Sequence, residues 1–475
     1  MLSPRQRVIL FALVSAFYLG SCATPLSWGS MPQDLESRTL AEWKEDLAAL
    51  GLGLASHPKL KTQPEIAARV GAAVRQAASE LEARAEDDPA LSDLAVTNIH
   101  RILALTEDGH TRLNASPRLV FPFILRFFPE NGSSVDLESF EGWEARIAAT
   151  DEAHEEYLGA VIKGIGPYSL QAATEKMADY LSLEGVVRSG AAKALFPQAV
   201  RGELMQSFCD PALSRGLGFA PASGNLSVLV EDPEDPAKTI LLSFAPEDMG
   251  ALGWRTVLQK IPAGSRHFSR SRPGEAWWHA LVPGHEETLY LRYDDCDMDA
   301  WPTLNRALSL LPDKSASEDG AALNPRRLIV DLRYNSGGNS IPGTRFASGL
   351  AGKKVAAAPG GVIVLVSSAT FSSAVQNAAD ILRACGASGS SPGRAVLVGE
   401  PLVEPLRHFG EVLRFQLPRS TLIVGRSSKL WKYDSATGIF PVRGVLEPKA
   451  ANIIVATFEE YRNGEDPVFD AALDL

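Results

Sequence analysis

Ser372 and Ser373 stand where the apolar run Val362–Val366 hands over, through SSATF, to the helix-forming run AVQNAADIL. A strand-to-helix turn lifts a hydroxyl to the carboxyl end of a sheet and sets it at the positive end of a helix. The amide of Ser373 would then face the same point as an oxyanion donor, as in nucleophile elbows. Against this, a serine needs a general base, and the turn contains no His, Lys or Asp. It also lacks GxSxG, and a serine so placed more often only caps the helix. The second notable stretch is IVDLRYNSGGNS, residues 329–340, where Gly337 and Gly338 allow a sharp turn with consecutive exposed amides. No phosphate-loop Lys and Ser/Thr follow, so the glycines read as an oxyanion cradle or a bare tight turn. Asp331 and Arg333 read as structural supports of that turn, and Asn335 as a stabiliser of it.

The base must come from elsewhere among eight histidines. His110 lies in Asp108-Gly109-His110-Thr111, a turn after a helix, and His408 lies close to the Gly399-Glu400-Pro401 loop. The residues alone do not separate these two. His57 and His100 read as structural, and His154, His267, His279 and His285 sit in segments with no recognisable chemistry. There is no HExxH, and HEETLY at 285 supplies no second ligand, so neither a metal nor another cofactor is expected. Cys209, Cys296 and Cys385 are far apart with no CxxC, and read as buried thiols.

DLRYNSGG, then TFSSA, then VLVGEP, with FGEVLRFQLPRSTLIVG and GVLEP beyond, resembles the tail-specific (C-terminal-processing) serine protease family over about residues 285–450. The resemblance implies a ClpP/crotonase-like α/β core with Ser372 as nucleophile. It implies an oxyanion hole from the amides of Ser373 and of Gly337 or Gly338. Many members place a lysine base soon after GEP. Here LVEPLRHFG follows Pro401 with no lysine before Arg407, and arginine cannot act as a base. A second branch, including the tricorn core and the chlamydial protease-like factor, uses a histidine, and DGHT matches it, favouring His110. That branch carries an orienting acid just before its final GV-x-P motif, where this chain has Pro441. Asp434, Glu447 and Glu400 are the acids that could fold back in its place.

The elements that must position these residues divide the chain. Residues 1–21 have a basic start, an apolar run and Leu-Gly-Ser before Cys22, the layout of a lipoprotein export signal with Cys22 as lipidation site. A tether, 22–35, follows. Residues 36–115 read as a helical subdomain carrying His110, with a Thr39/Glu42 capping box and Gly109 as helix terminator. Residues 116–245 read as mixed α+β, where the resemblance allows a PDZ-like module, and 246–281 as an irregular linker. Residues 282–475 alternate strands and helices, an α/β pattern with mainly parallel pairing, closed by a hairpin near the sheet edge.

The formal charge of −11 disfavours nucleic acid and anionic lipid as partners. The expectation is a cell-envelope serine endopeptidase acting on polypeptides and anchored to the outer membrane through lipid at Cys22. The alternative is a catalytically degenerate protease-fold lipoprotein that binds peptides or envelope proteins.

Overall fold

The computed structural model describes residues 29–30, 35–130, 135–315, 325–391 and 393–475. The expected export signal, Cys22 and most of the expected tether lie outside the described residues. No helix among the described residues is long and apolar enough to cross a membrane.

The N-terminal helices are Leu40–Leu54, Pro58–Thr62, Pro64–Glu82 and Leu91–Ala104. The first begins at the Thr39/Glu42 capping box, and Trp43, Leu47, Leu50 and Leu54 face inward from it. The last ends at Ala104, five residues before Gly109, and the chain reverses through Glu107 at φ 51°. Gly109 is therefore not the terminator. Its role is close approach: a Cβ there would lie 3.0 Å from Glu184 Oε1 and 3.1 Å from the Phe371 ring.

The middle region is mixed helix and strand. Strands Phe123–Pro129 and Trp143–Thr150 pair antiparallel. Ile162–Ile165, Tyr168–Ser169, Leu226–Glu231 and Thr239–Phe244 form a four-stranded sheet. Helices Leu170–Ala178 and Phe196–Ser207 share the apolar core of these strands.

The last third is built on five strands in chain order: Trp277–Val282, His285–Tyr293, Arg327–Asp331, Val362–Val366 and Val396–Gly399. The first pair is antiparallel and the rest parallel. Val362–Val366 is wholly buried, as a central parallel strand covered on both faces must be. Helix Ser373–Ala384 packs on one face, and Val468, Phe469 and Ala472 of the C-terminal helix pack on the other. Trp277–Val282 starts inside the stretch expected to be an irregular linker, because it serves as the antiparallel edge of this sheet.

The closing hairpin differs from expectation in its location. Arg407–Gln416 and Ile423–Lys432 do not extend the five-stranded sheet, whose edge at Gly399 is bridged by Ile453. They form a separate three-stranded sheet with Arg112–Leu113. Leu417, Leu422 and Val424 enter the core of the N-terminal helices. The Asp46 carboxylate of the first helix accepts the amides of Arg419 (2.8 Å) and Ser420 (2.7 Å) at the hairpin turn. Sequence from the last third is thereby built into the unit that carries His110.

Candidate active site

Ser372 precedes helix Ser373–Ala384 with φ 55° and ψ −124°. An L residue adopts this backbone only under constraint, at a cost of about 1–3 kcal/mol. The constraints are visible. Phe371 N–H donates to Asn335 O at 3.0 Å, Thr370 Oγ1 donates to Leu332 O at 2.8 Å, and the Ser372 amide donates to Glu404 Oε2. Gly337, at φ 104°, packs against the serine so tightly that a Cβ would sit 2.5 Å from Ser372 Cβ. Ser372 is no mere N-cap, since its side chain accepts no amide of the helix it precedes.

His110 is held from the opposite side. Its amide donates to Asp108 Oδ1 at 3.0 Å, while Asp108 Oδ2 accepts Thr111 Oγ1 (2.6 Å) and His57 Nε2 (2.7 Å). His57 Nδ1 accepts the Lys59 amide at 3.0 Å, which assigns its proton to Nε2. His57 is thus a structural clamp. Thr111 Oγ1 also accepts the Ser427 amide at 3.2 Å, tying the turn to the hairpin.

These two assemblies meet. His110 Nε2 lies 3.0 Å from Ser372 Oγ, and both residues are buried, at 1% and 0% exposure. His408, the competing histidine, stacks beside His110 with ring centroids 5.8 Å apart. Its Nδ1 is 2.8 Å from Pro405 O and its Nε2 3.3 Å from Gln376 Nε2, so its hydrogen bonds are spent within its own surroundings.

None of the acids expected from sequence orients His110. Asp434 pairs with Arg407 at 3.1 Å, Glu447 pairs with Arg443, and Glu400 accepts Gln198 Nε2 at 3.4 Å. Arginine partners hold the first two away from the imidazole. The acids facing His110 Nδ1 are instead Glu404 (3.6 Å), Asp108 (3.8 Å) and Glu184 (3.9 Å). Glu404 escaped sequence reasoning because it belongs to no motif. The available signal was a lone carboxylate within LVEPL, an apolar context that demands a buried partner.

The glycine turn expected to cradle an oxyanion is hydrogen-bonded internally. The Gly337 amide donates to Asn335 Oδ1 at 2.9 Å, so it is engaged within its own turn. Asn335 Nδ2 in turn donates to Tyr293 O at 2.8 Å. Ser373 Oγ donates to Gly338 O at 2.7 Å, fixing the start of the helix to the glycine turn. Below the turn, Arg333 joins Asp331 (2.6 Å) and Asp466 (2.6 Å) in a buried network that fastens the C-terminal helix to the strand end.

Burial pushes the His110 pKa down to about 3, against the attraction of Asp108, so the imidazole is neutral at pH 7. Burial, reinforced by the Asp108 charge, raises Glu184 to about 8. Burial would raise Asp108 too, but hydrogen bonding and charge from His57, with His110 and Thr111 adding, hold it below the usual carboxylate range. Asp108, His110 and Glu184 also offer donor atoms close enough together to hold a metal ion. A cleft of about 310 Å³ lined by Gly109, Arg112, Glu184, Tyr334, Phe371 and Val403 runs beside the pair, with the Phe371 ring 4.6 Å from that of His110.

No family model matches the chain, and no curated protein matches it. Solved structures are similar to it over nearly their whole length. Mature CPAF is 12% identical with a TM-score of 0.49, covering 92% of this chain and 96% of that one. The photosystem II D1 C-terminal processing protease is 13% identical with a TM-score of 0.34, covering 90% and 98%.

Proposed function

We propose that this chain is a serine-type peptidase in which Ser372 attacks a peptide carbonyl and His110 takes, then returns, the proton. The observation that carries this reading is the 3.0 Å approach of His110 Nε2 to a serine held in a strained strand-to-helix turn. In this mechanism a neutral imidazole with its proton on Nδ1 accepts from Ser372 Oγ at Nε2. Glu404 is the orienting acid, and its separation from Nδ1 closes when the imidazolium forms, as catalytic hydrogen bonds commonly tighten with substrate. The amides of Gly338 and Ser373 receive the oxyanion. Water then releases the acyl group. Polypeptide substrate enters along the cleft beside Phe371. Lipidation at Cys22 would place the enzyme at a membrane of the cell envelope, which palmitate incorporation lost in Cys22→Ala would test.

A fluorophosphonate probe should label Ser372 in the purified ectodomain. Labelling should vanish in Ser372→Ala and fall on the order of 10⁴- to 10⁶-fold in His110→Ala. Equal labelling of the His110 variant would remove that residue from the mechanism. The burial of both partners favours a second reading, a peptide-binding protein on a catalytically silent site. Peptide binding that survives Ser372→Ala, with no cleavage of unfolded casein by the unmodified chain, would establish it.

A further inference from the structure

We propose that the pocket behind His110 binds a divalent transition metal of the Zn²⁺ class through His110 Nδ1, Asp108, Glu184 and Glu404, and that the ion switches this histidine off as a base. The switch rests on the peptidase reading above; the ligand set does not.

His110 Nδ1 is fully buried and has no hydrogen-bond partner among the described residues. Three carboxylates crowd it, at 3.6 Å (Glu404 Oε1), 3.8 Å (Asp108 Oδ1) and 3.9 Å (Glu184 Oε1). An orienting role needs one of them, because Nδ1 carries a single proton. Two are surplus to a triad. The donor atoms of Asp108, His110 and Glu184 all lie within 4.8 Å of one another. Tetrahedral zinc with bonds of about 2.0–2.2 Å spaces its ligands about 3.4 Å apart. The three distances to Nδ1 exceed that value by only a few tenths of an ångström, and Asp108 and Glu184 must also close on each other from within 4.8 Å.

The ligands are also fixed from behind, as metal ligands usually are. Asp108 Oδ1 accepts the His110 amide (3.0 Å) and Glu184 Oε1 accepts the Gly109 amide (3.0 Å), leaving each a second lone pair. One imidazole with three carboxylates suits Zn²⁺ or Mn²⁺ better than ions that seek thiolates. Glu184 and Gly109 line the cleft, which supplies a path of entry. No ligand-spacing motif reveals it, since its members come from three distant segments.

The switch is a change of tautomer. Without metal, the one proton of the neutral imidazole sits on Nδ1 and Nε2 accepts from Ser372. The ion takes the Nδ1 lone pair, and the displaced proton moves to Nε2. Nε2–H then donates to Ser372 Oγ and cannot receive its proton.

The test uses the Ser372→Ala protein, which retains all four donors, titrated with zinc chloride by calorimetry and with Co²⁺ by visible absorption. One ion per chain and an intense tetrahedral Co²⁺ spectrum are expected. Glu184→Gln and His110→Gln in the same background should each weaken binding on the order of a hundredfold. In the unmodified chain, fluorophosphonate labelling should fall as zinc occupancy rises and return with EDTA. Absence of stoichiometric binding, or binding untouched by either substitution, overturns the site. Saturating zinc with undiminished labelling overturns the switch. Zinc binding by a chain that never labels upholds the site and overturns the peptidase reading with its switch.

Discussion

The Glu404 carboxylate accepts the backbone N–H of Ser372 through Oε2 while its other oxygen faces His110. One side chain thus braces the strained Ser372 turn and faces the imidazole of His110. Glu404→Gln keeps the acceptor for the amide but removes the charge that stabilises an imidazolium. It should lower kcat by on the order of 10²- to 10⁴-fold with little change in KM. Asp434→Asn and Glu447→Gln, which touch neither residue, should leave fluorophosphonate labelling rates within about twofold. A reversed ranking would return the orienting role to the C-terminal acids.

Gly337→Ala should silence the site without abolishing the fold. The residue sits at φ 104° with Ser372 in the way of any Cβ. The backbone cost is about 1–3 kcal/mol, and the serine must move to relieve the contact. Labelling should drop by more than about a hundredfold while circular dichroism stays native-like, since displacement of a reacting atom by about 1 Å is enough for such a loss.

The two halves of the site differ in how openly the sequence displays them. The fully apolar strand Val362–Val366, the Gly337–Gly338 turn and the DGHT turn are local patterns, and local patterns are readable. Glu404 and the docking of the hairpin depend on tertiary partners. Leu417, Leu422 and Val424 look like any apolar hairpin residues until the N-terminal helices cover them. The cap supplied by Asp46 spans more than 370 positions and leaves no periodic trace.

That cap supports a stability prediction. Asp46 is buried and satisfies two amides at the hairpin turn. Asp46→Ala should cost about 2–4 kcal/mol in urea unfolding, two charge-assisted hydrogen bonds being lost and their donors left unpaired. Because the hairpin carries the strand that seats Arg112–Leu113, the same variant should also slow labelling at Ser372. Asp46→Asn should recover part of both.

Acid sensitivity should trace to the Asp331–Arg333–Asp466 network. Burial would raise the Asp466 carboxyl, but the Arg333 charge and hydrogen bonds, with Arg270 and Ser269 assisting, hold it well below the usual carboxylate range. A depressed native pKa means the contribution is complete above about pH 4, the ordinary value, and is lost as pH falls toward the native one. The stability gap between the unmodified chain and Asp466→Asn, about 3–5 kcal/mol at pH 7, should therefore narrow below pH 4. A constant gap from pH 7 to pH 3 would contradict it.

The three described cysteines should be silent to thiol reagents in the native state. Cys209, Cys296 and Cys385 are buried and unbridged. Burial pushes the Cys385 thiol up to about 12 and Cys209 higher still, so neither supplies thiolate at neutral pH. Ellman's reagent should count none of them before guanidinium is added, and all of them after.

His110 and Ser372 stand 262 positions apart, and residues 407–432 help to seat the histidine. Synthesis therefore delivers the histidine long before the serine, and the brace for both comes later still. Under the proposed mechanism, a chain assembled in this order is inert while it is being made. Its first competent moment coincides with the completion of its own fold.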